Sequence, residues 1–72
     1  MSYDYGKLKG KIKERYGTQD NFAKEIGLSA VTLSNRLNNQ TKFSQDEIIK
    51  CCSALNIEDA AIASYFFTYE VQ

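Results

Sequence analysis

Histidine, tryptophan and proline are all absent from this chain of 72 residues. Without an imidazole there is no His general base and no zinc site with His ligands. Cysteine is scarce, and its two copies, Cys51 and Cys52, are adjacent. Neighbouring positions on a helix point about 100° apart, a poor geometry for a mutual disulfide, and metal sites want spacings such as C-x-x-C. The pair reads as two small apolar residues in or near a core. With no disulfide framework, a reducing cytoplasm is the expected location. No apolar run approaches the roughly 18 residues needed to span a bilayer. The opening segment Met1 to Gly6 lacks the basic-then-apolar order of a secretion signal. No repeat, linker or low-complexity tract interrupts the chain, so residues 1–72 are expected to form one domain. A chain this short and this poor in reactive groups is expected to bind rather than catalyse, with no cofactor, no metal and no membrane partner.

An excess of either charge is also missing: nine Lys and Arg face nine Asp and Glu. A basic excess is the usual mark of a nucleic-acid binder, so the total counts against one. The distribution points the other way. Residues 1–42 carry a net +4 and residues 43–72 a net −4. Such asymmetry suits a module that offers one end to phosphate and the other to a protein.

What is present is helical periodicity throughout. Tyr5, Leu8, Ile12 and Tyr16 recur at steps of three and four, predicting a helix over about 5–16 that Gly17 ends. The alternating Lys7, Lys9, Lys11 and Lys13 spread around its exposed sides, a solvated face first and a phosphate contact second. Thr18 is an N-cap for a short second helix carrying Phe22, Ala23 and Ile26, which stops at Gly27. Ser29 caps a third helix over about 30–38, with the apolar stripe Ala30, Leu33 and Leu37. Ser44 and Glu47 form the S-x-x-E capping box of a fourth, flanked by Phe43 and Ile48 as a hydrophobic staple. A short fifth helix follows from about Glu58, with Ile62 and Phe66 on one side. Five short helices and little or no sheet are expected.

The segment Gln19 to Leu37, QDNFAKEIGLSAVTLSNRL, carries the chemistry. It joins two short helices by a tight turn. Ala23 sits where they cross closely, and Gly27 supplies the positive φ of the turn. With Leu33 and Leu37 facing inward, Val31, Asn35 and Asn38 fall on the opposite side, flanked by Thr32, Ser34 and Arg36. That outer face is polar but nearly uncharged. A merely solvated helix usually carries Glu and Lys there, whereas Asn, Thr and Ser hydrogen-bond base edges and Val packs on a thymine methyl.

The pattern T-Q-x-x-F-A-x-x-x-G-L-S followed by T-L-S-x-x-L-N resembles the Cro/repressor-type (Xre-like) helix-turn-helix of temperate bacteriophages. The resemblance extends to both ends, where Tyr5 to Gly10, Tyr65-Phe66-Phe67 and Val71-Gln72 are similar to the small lytic-switch "modulator of repression" proteins of phages of Gram-positive hosts. It implies a compact all-α five-helix bundle of the lambda-repressor-like type, with a central helix-turn-helix serving a phage or prophage lysogeny switch. It also implies roles by position. Gln19 would hydrogen-bond a backbone phosphate. Ser29, Ala30, Val31 and Thr32, with Asn35 one turn on, would reach base edges in the major groove. Asn39, Gln40 and Lys42 would meet the far phosphates. Arg36 departs from the pattern, since that position is normally apolar and Leu37 takes the packing role instead.

The partners that follow are double-stranded operator DNA, a phage repressor protein, and a second copy in a weak homodimer. The tail leaves two readings open. Tyr65, Phe66, Phe67 and Tyr69 lie within five residues of one another. They close a small core, or Tyr65, Phe67 and Tyr69 form a partner surface. The leading expectation is a sequence-specific DNA-binding transcriptional regulator. The alternative is an antirepressor or modulator that acts mainly by binding the lysogenic repressor protein.

Overall fold

Side-chain capping sets the start of three of the helices in the computed structural model, which describes residues 2–70. Helix α1 spans Gly6–Tyr16, α2 Gln19–Ile26, α3 Ala30–Leu37, α4 Gln45–Leu55 and α5 Ile62–Phe66, the last preceded by a 3₁₀ turn at Asp59–Ala61. At the N-termini, Thr18 Oγ1 accepts from the Asn21 N–H at 3.1 Å and Ser29 Oγ from the Thr32 N–H at 3.1 Å. Ser44 and Glu47 close the expected capping box in both directions, at 3.1 and 3.0 Å.

The C-termini of α2, α3 and α4 share one device. Each is followed by a left-handed residue: Gly27 at φ 76°, Asn39 at φ 62° and Asn56 at φ 57°. The next N–H reaches back five residues, Leu28 to the Ala23 carbonyl, Gln40 to Asn35 and Ile57 to Cys52, each at 2.9 Å. This is the Schellman arrangement, which satisfies carbonyls that a helix end would leave bare. Gly and Asn are the residues that reach this backbone region at least cost.

The core draws on every helix. Tyr5, Leu8, Ile12, Phe22, Ala23, Ile26, Leu33, Leu37, Cys51, Leu55, Ile57 and Phe66 are all buried. The fold is an all-α bundle of five helices with no strand among the described residues. None of the helices is long and apolar enough to cross a membrane.

Four details differ from the periodicity. Tyr5 is the N-cap of α1 rather than its first residue. Ala30, on the apolar stripe by spacing, is exposed at the first position of α3. Cys52 is only half-buried while Cys51 is fully enclosed. The two ends of the chain also pair. Tyr3 and Tyr69 form an isolated antiparallel bridge, supported by Asp4 N–H to the Thr68 carbonyl at 2.7 Å and Glu70 N–H to the Ser2 carbonyl at 3.0 Å. Val71 and Gln72, part of the terminal resemblance, lie outside the described residues.

Candidate nucleic-acid interface

The turn between α2 and α3 holds α3 against the body by one side only. Leu33 and Leu37 are buried at 0% and 2% exposure, while Val31, opposite them, is 69% exposed. Ala23 lies fully enclosed where α2 meets the bundle, and Gly27 takes the left-handed conformation of the turn. Thr32 and Asn35 are half-exposed beside Val31, and Ser29 and Ala30 are exposed at the helix start.

The hydroxyls at that start are ordered. Ser29 Oγ accepts the Thr32 N–H and donates to Thr32 Oγ1 at 2.8 Å. Thr32 thereby keeps its own O–H proton to donate outward. Asn35 uses its backbone carbonyl for the Gln40 and Thr41 N–H groups, which fixes the helix end without engaging its side chain. The arrangement can offer a methyl surface, a hydroxyl donor and an amide to an edge of bases.

Gln19 opens α2 and is exposed. It lines a shallow depression together with Lys9, Lys13, Gly17 and Thr18. Two of the alternating lysines of α1 therefore converge on a helix N-terminus, where N–H groups and the helix dipole favour an anion. Gln40 and Lys42 are exposed beyond the far end of α3. Asn39 is placed differently: its side-chain oxygen accepts the Tyr3 N–H and its amide donates to the Tyr3 carbonyl, both at 2.9 Å. The side chain expected at a phosphate ties the loop to the N-terminal segment.

On a helical wheel Arg36 flanks the outer face. Its guanidinium instead turns to α4, donating from Nε to Glu47 Oε1 at 2.9 Å and from Nη2 to Oε2 at 3.3 Å, with Nη1 on Thr41 Oγ1. Both partners are largely shielded, with side chains 20% and 15% exposed. Arg36 holds the Glu47 carboxyl below its ordinary range, reinforced by the Ser44 bonds against the opposing effect of burial. A position expected to be apolar is filled by a long stem whose charge is neutralised locally, so Arg36 adds no cation to the outer face of α3.

The tail divides. Phe66 is buried, and Tyr65 is half-buried with Lys7 Nζ 4.6 Å from its ring centroid. Phe67 and Tyr69 remain 49% and 56% exposed. Tyr69 stacks on Tyr3 at 5.4 Å between centroids, and Phe67 meets Tyr3 edge-on at 6.1 Å. Tyr3 thus joins Phe67 and Tyr69 in place of Tyr65, which no aromatic contact links to them among the described residues. No sequence spacing pointed to Tyr3, because the link is made by residues at opposite ends of the chain.

Cys51 is enclosed, and burial first, then Cys52 and Glu47, pushes its thiol up to about 12. Burial and then Asp59 raise the Cys52 thiol as well. Among the described residues no group of three or more His, Cys, Asp or Glu lies close enough to hold a metal ion.

A family model described as "Protein of unknown function (DUF739)" matches residues 1–69. The chain is similar to a solved structure titled "Solution structure of the modulator of repression (MOR) of the temperate bacteriophage TP901-1 from Lactococcus lactis". The two are 46% identical with a TM-score of 0.83, and the match covers 100% of this chain and 97% of that one. No curated protein matches the chain.

Proposed function

The chain belongs to the DUF739 family, and from that footing we propose that it is a regulator of a phage or prophage lysogeny switch that reads operator DNA with the outer face of α3. The observation that carries this is Val31: a β-branched apolar side chain left 69% exposed at the start of a helix whose opposite face is buried. Beside it stand Asn35, whose side chain makes no hydrogen bond among the described residues, and Thr32, whose hydroxyl accepts from Ser29 and can still donate; both are of the chemistry that recognises base edges. The name of the 46%-identical phage relative supports the regulatory half of the reading.

In this reading residues 1–72 act as one DNA-binding domain in the host cytoplasm. Ser29, Ala30, Val31, Thr32 and Asn35 face the bases. Gln19, with Lys9 and Lys13 beside it, meets one phosphate run, and Gln40 and Lys42 meet the other, on a loop that Asn39 anchors. Ala23, Gly27, Leu33 and Leu37 hold the geometry. The test is a titration of the protein against DNA from its own regulatory region at two salt concentrations. Thr32→Ala and Asn35→Ala should each weaken specific binding about tenfold or more, at about 1–3 kcal/mol per good base contact. Neutralising three lysines' worth of phosphate gives a shallow salt slope of about −3 per protomer. Equal affinity of variants and parent for that DNA overturns direct readout.

One observation favours a second reading, in which the protein acts on the lysogenic repressor itself. Phe67 and Tyr69 form an exposed aromatic patch with Tyr3, remote in sequence from α3. Phe67→Ser with Tyr69→Ser should then abolish repressor binding and leave DNA binding intact.

A further inference from the structure

On α4, Ile49 and Ser53 are one turn apart and form a ridge with a depression on each side. Ile49 is 65% exposed. A single exposed isoleucine is ordinary; its setting is not. The depression toward α2 is walled by Lys24 and Lys50, with Glu25 the one acid among its lining residues. The depression toward the 3₁₀ turn is walled by Glu58 and Asp59, and no cation lines it. All five charged groups are exposed, and none forms an ion pair among the described residues, where the ion pairs are Lys11–Glu14 and Arg36–Glu47. Lys50 is also the one basic residue in the otherwise acidic stretch 43–72.

A basic trough and an acidic trough on either side of an apolar ridge form a self-complementary surface. Rotation by 180° about an axis along the ridge lays the basic trough of one copy on the acidic trough of the other, twice, with the two Ile49 side chains meeting between them. That is the requirement for an isologous contact, in which one patch serves both subunits. We propose that a second copy of this chain docks here, giving a two-fold dimer with the two α4 helices side by side. A net charge of zero lets copies approach without overall repulsion. No residue of α3 lines either depression, so the dimer forms without DNA and stands apart from the reading of α3.

Sedimentation equilibrium of the full chain, without DNA, tests it by charge exchange. The parent should shift from monomer to dimer mass as concentration rises. K24E/K50E makes both troughs acidic and E58K/D59K makes both basic, so each variant alone should dimerise at least tenfold more weakly. Mixed in equal amounts they should recover the dimer, because every facing pair is again opposite in sign. I49S should weaken the parent dimer. Recovery on mixing also shows that both variants are folded. A parent that stays monomeric up to millimolar concentration overturns the proposal. So does a mixture of folded variants that stays monomeric, or a parent dimer that both charge variants leave intact.

Discussion

Two glycines, Gly27 and Gly10, isolate what a single backbone position contributes. An added Cβ would meet nothing within 4 Å at either site, so packing does not distinguish them. Gly27 holds φ at 76°, and Gly27→Ala should cost about 1–2 kcal/mol of stability through backbone strain. Gly10 lies inside α1 with ordinary helical geometry, and Gly10→Ala should add about 0.5–1 kcal/mol by restricting the unfolded chain. Urea unfolding of the two variants measures opposite signs. The two cysteines differ as sharply. Cys51 is buried with its thiol pushed up to about 12, whereas Cys52 is half-exposed. The thiolate is the reactive form. In mass-spectrometric alkylation at mildly alkaline pH, Cys52 should therefore label first, and Cys51 only under unfolding conditions.

At the scale of elements, the Arg36–Glu47 pair ties the end of α3 to the start of α4. Glu47 titrates below its ordinary range, so its carboxylate is favoured by folding. A depressed carboxyl gives stability that is present above its unfolded value, about 4.3, and is lost as pH falls through the lower folded value. Urea midpoints should therefore drop with acidification below about pH 4 more steeply in the parent than in Glu47→Gln. Arg36→Ala should cost roughly 1–2 kcal/mol at neutral pH, for a charged hydrogen bond that is partly screened. The helices themselves were legible because their caps are local: Thr18, Ser29, Ser44 and Gly27 each act within a few residues. The partner of Arg36 was not. Residue 36 sits beside the outer face on a helical wheel, and only the approach of α4 reveals which way its long side chain turns. Asn39 is similar: as a polar loop residue it reads as a phosphate contact, yet its amide meets Tyr3, 36 positions away.

For the whole molecule, the candidate interface was legible to the extent that one helix face can be read from one stretch of sequence. Val31 lies outside and Leu33 and Leu37 inside because spacing alone separates them. What spacing cannot supply is the joining of the termini, where Tyr3 and Tyr69 pair and turn the tail into a patch with Phe67. The charge asymmetry along the chain is likewise refined in space: Lys9 and Lys13 come to the start of α2, while Arg36 is neutralised. The molecule therefore offers the outer face of α3 and the aromatic patch as two separate surfaces, and the account holds that the first of them touches DNA. The most direct measurement is a residue-resolved NMR titration of the labelled chain with duplex DNA from its own regulatory region. The amides of Ser29, Val31, Thr32 and Asn35, with Gln19 and Lys42, should shift or broaden in a sequence-selective manner, while Ile49 and Phe67 stay unmoved. Shifts confined to the aromatic patch, or none along α3 at saturating DNA, would contradict it.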